Sequence, residues 1–324
     1  MIYTLPGLVD IHVNGFAGVD YNSADLSEDR LGESLAAMRA TGVTRCLPTI
    51  ITSDAEHFAA CAREIIKSSD PMIAGLHMEG PYISPIDGPR GAHPLKSVID
   101  ADIEDFKRRQ DAAAGRIKLV TLAPEVPGAL ALIEYLVKNN IVVGIGHSGA
   151  SAQCIHDAAI AGATISTHLG NGCFAQMDRH HNVLWPQLAD DRLIGAFIAD
   201  GHHLPADTLK AMLRAKGLAR SILVTDAVCA AAAPVGVYSL ASLQIQVDAR
   251  RKVTQVGTES LAGSALTLDV AVRNTCHWGD LSLETAWPLA SRHAADAIGI
   301  EPRGEVDVEW NPTTFELEIL STHI

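Results

Sequence analysis

Short apolar runs alternate with amphipathic stretches along most of this chain, and the runs tend to end on polar side chains. The pattern predicts strands over residues 5–13, 43–51, 72–77, 117–122, 141–146, 163–166, 193–199 and 221–224. Between them, spaced apolar positions predict helices over 27–41, 55–67, 98–111, 128–138, 151–161 and 205–215. Eight such strands alternating with helices predict an α/β fold, a (β/α)8 TIM barrel. Beyond them, a β-like excursion is expected near 243–256 and helices over 266–277 and 282–297. The tail VDVEWNPTTFELEIL alternates like an edge strand. With no internal repeat beyond the βα unit and no low-complexity linker, one domain spanning 1–324 is expected.

The polar residues at strand ends carry the chemistry, because ligands of parallel α/β folds gather at the strands' carboxyl ends. The stretch VVGIGHSGASAQCIHDAAIAGATISTHLGN places His147 and His168 at the ends of successive strands. Glu79 ends the third strand in HMEGP, where Gly80-Pro81 turns the chain. Two imidazoles and a carboxylate suit a catalytic metal, which keeps three protein ligands and an open position. A single strand-end histidine is more often a satisfied polar group; three such residues together favour the metal. Asp226 follows the apolar run Ile222-Leu223-Val224-Thr225, where an unpartnered carboxylate is costly, and it can serve as a general base and acid. Its bland alternative is a buried cap. His12 and Asn14 end the first strand, and an asparagine in that place compromises any second metal site. His77, His93, His202 and His203 are further candidates, and His180 and His181 beside Arg179 form either a phosphate patch or a solvated loop.

Composition narrows the classes. Hydrophobic residues make up 48% and charged residues 19% of 324, the balance of a well-buried globular protein. A net charge of −13 argues against nucleic acid and anionic membranes as partners. The six cysteines show no C-x-x-C spacing, and the opening MIYTLPGLVDIH lacks a basic, then apolar, leader pattern. No apolar run approaches the roughly 20 residues of a membrane span. A cytoplasmic enzyme with reduced thiols is the expectation.

The segments PGLVDIHVNG, GLHMEGPYISP, RGAHP, TLAPE, GHSGAS, STHLGN, ADGHH, VTDA and LAGSALTLDVAVRN occur in one order over most of the chain. In this the chain resembles the N-acetylglucosamine-6-phosphate deacetylase family of the amidohydrolase superfamily. The resemblance implies a metal-dependent amidohydrolase barrel that removes the acetyl group of an N-acetylated amino sugar, most readily N-acetylglucosamine 6-phosphate. It implies one divalent metal on Glu79, His147 and His168, with His12 as an additional contact, and Asp226 as base and acid. His93 would polarise the acetyl carbonyl, and His203, Asn171, Gly172 and Arg179 would bind the substrate, the arginine across a homodimer interface. Zinc is the first choice of ion, with Fe(II), Mn(II) or Co(II) also suited to two histidines and a carboxylate. The departures are Asn14, Gly170 where an aromatic is common, the RHHN turn at 179–182, and a flanking β-sandwich expected to be missing or vestigial. The alternatives are an amidohydrolase for a different N-acyl sugar or cyclic amide, and a catalytically silent sugar-binding barrel.

Overall fold

The computed structural model describes residues 1–324. Its centre is a sheet of eight strands, β1 (Leu8–Val13), β2 (Val43–Ile51), β3 (Leu76–Glu79), β4 (Ile117–Leu122), β5 (Val142–Ile145), β6 (Ile165–Ser166), β7 (Ile194–Phe197) and β8 (Ser221–Leu223). Each pairs in parallel with the next. The ring closes only near the carboxyl ends, through a parallel bridge between Val13 and Ala227. There the Asp226 amide donates to the His12 carbonyl at 2.9 Å and the Asn14 amide to the Ala227 carbonyl at 2.7 Å. Asp10 acts as the latch: the Thr225 hydroxyl donates to its carboxylate at 2.5 Å.

The helices begin where the sequence offers a cap. Ser27, Asp54, Asp102 and Ser151 each accept a first-turn amide through the side chain, which offsets helix-end donors that would otherwise go unpaired. The helix expected from 98 therefore starts only at Ile103, after its Asp102 cap. The third strand starts at Leu76, after Gly75 and a turn, and it runs on through Glu79. The expected helix over 282–297 is broken into Leu283–Ala286, a tight turn at Trp287–Ala290 and Arg292–Ala297. Pro288 supplies no amide donor for a continuous helix.

Two three-stranded sheets flank the barrel. Gly236–Leu240, Leu243–Val247 and Val253–Gln255 form an antiparallel meander, one strand more than the excursion read from the sequence. Its inner side packs on Ile51 and Val228, which sets it over the barrel's carboxyl mouth. Ile2–Pro6 pairs with Glu305–Asn311, which pairs with Glu316–His323. The tail is thus a hairpin, turned at Pro312, rather than one edge strand. The flanking β layer is present in this reduced, three-stranded form, and Trp287 ties it to the barrel by donating to the Pro6 carbonyl at 2.8 Å. No helix is long and apolar enough to cross a membrane.

Candidate active site

The carboxyl ends of β1, β3, β5, β6 and β8 deliver His12, Glu79, His147, His168 and Asp226 to one buried cluster. His147 Nε2 lies 3.0 Å and His168 Nε2 3.1 Å from the same carboxylate oxygen, Glu79 Oε1, and the two nitrogens are 3.1 Å apart. The other oxygen, Glu79 Oε2, lies 3.1 Å from His12 Nε2, which is also 3.2 Å from Asp226 Oδ1. His147, His168 and Asp226 all hold a left-handed backbone, with φ of 51°, 31° and 49°. That region is sparsely populated by non-glycine residues and costs on the order of 1 kcal/mol each, strain that concentrates at functional sites.

The donor set fits a divalent cation. His147 Nδ1 donates to the Pro89 carbonyl at 3.0 Å, so in the neutral ring the Nε2 lone pair faces the lone pairs of Glu79 Oε1. Lone pair against lone pair is repulsive unless a cation lies among them. The three mutual distances come close to the edge of about 3.3–3.5 Å that zinc bonds of about 2.0–2.2 Å impose on a tetrahedron. Charge points the same way. Burial alone would raise the Glu79 pKa, but the surrounding imidazoles, His12 first, hold it well below the usual carboxylate range. Burial opposes a charged His12, yet Glu79 and Asp226 overcome it and push its pKa up to about 9. In the absence of an ion the cluster requires a proton to supply positive charge.

Around this cluster lies a cavity of about 700 Å³ at the barrel mouth, within the size range of small-molecule sites. His93 lies on its wall, 3.8 Å from Glu79 Oε2, and its Nδ1 is 2.8 Å from the Thr52 hydroxyl. The hydroxyl's other acceptor, the Glu79 carbonyl, is more distant at 3.4 Å. With Thr52 donating to Nδ1, His93 Nε2 would carry its proton toward the cavity. Burial first, then His147, lowers the His93 pKa well below the usual value, so the ring is neutral. His203 also lines the cavity, and Asp200 fixes its ring through Nδ1 at 2.7 Å. Asn14 donates to Asp226 Oδ1 at 2.6 Å. Sequence reasoning assigned no role to Thr52 or Asp200 and missed what Asn14 bonds to; only the spacing D-G-H-H, with an aspartate three residues before His203, could have suggested one of them.

The substrate candidates divide. Asn171 and Gly172 line the cavity beside the imidazoles. Arg179 does not: it sits on an exposed turn, and its carbonyl accepts from Trp185 Nε1 at 3.0 Å. His180 and His181 line an adjoining cavity of about 760 Å³, and His202 faces elsewhere, donating to the Arg250 carbonyl. His77 is locked beneath the site between the Thr49 and Thr121 hydroxyls, at 3.1 and 2.8 Å, as a structural residue. Gly170 has a φ of +99°, and a Cβ there would meet Leu204 Cδ2 at 2.9 Å and Met212 Cε at 3.3 Å. Its substitution for an aromatic is thus matched by packing side chains on the far side of the loop. Gly172, at φ +56°, faces the ligands themselves, and a Cβ would stand 3.0 Å from His147 Nδ1 and 3.1 Å from His168 Cε1. Gly172→Ala is expected to lower affinity for a divalent ion by at least about tenfold, as losses of groups that orient ligands do. Metal content after dialysis against metal-free buffer checks this.

Comparison with known proteins places these features in context. Residues 3–310 match the model of the amidohydrolase family. The N-acetylglucosamine-6-phosphate deacetylase of Bacillus subtilis (strain 168) is 33% identical over 323 residues, covering 94% of this chain and 78% of its own. The N-acetylgalactosamine-6-phosphate deacetylase of Escherichia coli O157:H7 is 32% identical, covering 91% of this chain and 78% of its own. Among solved structures, the N-acetyl-D-glucosamine-6-phosphate deacetylase of Mycobacterium smegmatis, in complex with N-acetyl-D-glucosamine-6-phosphate, superimposes with a TM-score of 0.89 at 28% identity. That match covers 99% of this chain and 87% of the other.

Proposed function

Because the chain belongs to the amidohydrolase family and, within it, to the N-acetylglucosamine-6-phosphate deacetylases, we propose that it hydrolyses the acetamide of N-acetylglucosamine 6-phosphate to acetate and glucosamine 6-phosphate. The observation that carries this reading is the convergence of Glu79, His147 and His168 beside Asp226 in one buried cavity.

Glu79, His147 and His168 would hold the divalent ion on which enzymes of this family depend, with zinc the preferred occupant. Bound there, a divalent cation polarises a carbonyl and lowers the pKa of a water from about 15.7 towards 7. The chain's own groups do the rest. Asp226 accepts the attacking water's proton; Asn14 occupies its Oδ1, so Oδ2 is the free acceptor. His93 Nε2 donates to the acetyl oxygen as negative charge develops on it, in the manner of an oxyanion hole. Asp226 then returns its proton to the departing amine nitrogen, and the C–N bond breaks to acetate and free amine. His203, held by Asp200, orients the sugar, and the meander roofs the cavity through Leu240 and Gln255.

Asn14 bears on ion number. His12, Glu79 and Asp226 form a second convergent group, and the Asn14 amide hydrogens point into it in place of a further imidazole. One ion per chain is the proposal. Asn14→His is expected to raise the divalent content from about one equivalent toward two. Elemental analysis of purified protein measures it, and an unchanged single equivalent would remove Asn14 as the reason.

The phosphate would meet Asn171 and Gly172, with Arg179 reaching the site of a second copy in a homodimer, since it lies outside its own chain's cavity. The free state of all six cysteines supports a reducing, cytoplasmic setting. The likeness to an N-acetylgalactosamine-6-phosphate deacetylase supports that epimer as the second reading. Steady-state rates of acetate release from both 6-phosphates and both unphosphorylated sugars separate these. The highest kcat/KM should fall on N-acetylglucosamine 6-phosphate, and Arg179→Ala should raise KM for phosphorylated sugars alone. Equal use of the unphosphorylated sugar would overturn the phosphate assignment.

A further inference from the structure

A second polar cavity lies on the carboxyl face of the barrel and shares no lining residue with the reaction cavity. Its volume is about 450 Å³, and its charged and polar lining is Asp200, His202, Arg250, Arg251, Thr267, Arg273 and Asn274. Three arginines converge on this space in a chain whose net charge is −13.

None of the three has its charge met closely. Arg251 and Arg273 form no ion pair, and the nearest carboxylate oxygen to Arg250, on Asp248, is 3.9 Å away. Arg251 donates to the Ala230 and Ala233 carbonyls, each at 2.7 Å, and Arg273 donates to Asn274 Oδ1 at 3.1 Å. Those acceptors are neutral, so the positive charge is positioned but not neutralised. The one carboxylate on the wall, Asp200, is already committed: it accepts from the His202 and His203 amides at 2.8 Å and from His203 Nδ1 at 2.7 Å. Uncompensated guanidiniums lining a concave surface attract anions.

We propose that this cavity is an anion site for a small phosphate monoester, separate from the site of hydrolysis. A phosphate group at neutral pH carries about −1.5 to −2 charge and three acceptor oxygens, a better match to three forked guanidiniums than a single carboxylate. The volume accommodates a phosphate with a sugar-sized substituent. The cavity touches the machinery of hydrolysis at two points. Asp200 borders it and orients His203. Arg251 pins the segment that follows Asp226, so an occupant would stiffen that loop.

Calorimetric titration of the metal-loaded protein with inorganic phosphate, and separately with acetate, tests the assignment. A phosphate-binding component should survive in Asn171→Ala, which removes a contact in the reaction cavity. The same component should weaken at least tenfold in Arg273→Ala and in Arg250→Glu, and acetate should bind at least tenfold more weakly. Arg250 is exposed and its side chain makes only the 3.9 Å approach to Asp248, so its variant keeps the test decisive if Arg273→Ala folds poorly. Titrations of Arg250→Glu that match the wild type would overturn the site, as would loss of all phosphate binding in Asn171→Ala. Equal binding of acetate would overturn the choice of phosphate.

Discussion

Asp226→Asn is expected to lower kcat by about a thousandfold, within the range of about 10² to 10⁴ contributed by positioned general acid–base groups. The change is nearly isosteric, and the new side-chain oxygen can still accept from Asn14, whose amide now holds Asp226 Oδ1 at 2.6 Å. What disappears is the free acceptor oxygen that takes the water's proton. Asp226 lies outside the Glu79, His147 and His168 group, so ion content and substrate KM should stay near wild-type values. Steady-state kinetics with parallel elemental analysis checks the prediction. A loss of bound ion equal to the loss of rate would instead make Asp226 a ligand, and the assignment of base would fall.

Glu79→Gln should have the larger effect on the ion. Glu79 Oε1 faces His147 and His168 at 3.0 and 3.1 Å, while Oε2 faces His12 at 3.1 Å. One carboxylate thus faces three imidazoles, and Asp226, the other carboxylate nearby, lies within 4 Å of His12 alone among them, at 3.2 Å. Removing that charge should weaken ion binding by more than about 100-fold, the loss that even a partner behind a ligand reaches. After dialysis against metal-free buffer the wild type should hold about one equivalent and the variant almost none. Acetate release should fall with it. A variant that keeps a full equivalent would move the ion away from Glu79.

Much of this was legible in the sequence because strand periodicity and strand ends are local properties. Apolar runs predicted the eight barrel strands, and the residues ending them, Glu79, His147, His168 and Asp226, are the ones the barrel gathers. Boundaries were less legible where a cap or a glycine decides them, as at Asp102 and Gly75. The left-handed backbone of His147, His168 and Asp226 leaves no mark on composition. The bonds of Asn14 to Asp226 and of Thr52 to His93 join residues 212 and 41 positions apart and exist only once the barrel closes. Arg179 shows the limit most clearly. The resemblance implies that it acts across a dimer interface, and the turn at Asp178, which accepts the His180 and His181 amides at 2.9 and 2.8 Å, carries it outward from its own chain's cavity. The flanking sheet is vestigial as expected, but its make-up was not legible: its strands come from opposite ends of the chain, Ile2–Pro6 and Glu305–His323, and neither half reads as a sheet alone.

The central claim is that a divalent ion on Glu79, His147 and His168 and a proton acceptor at Asp226 together release acetate from an N-acetylated amino-sugar phosphate. Acetate release from N-acetylglucosamine 6-phosphate by chelator-stripped protein, by the same protein reloaded with zinc, and by reloaded Asp226→Asn measures it directly. Stripped protein should be inactive, reloading should restore turnover, and the variant should remain about a thousandfold slower with the same ion content. Turnover by stripped protein equal to that of reloaded protein would contradict the account.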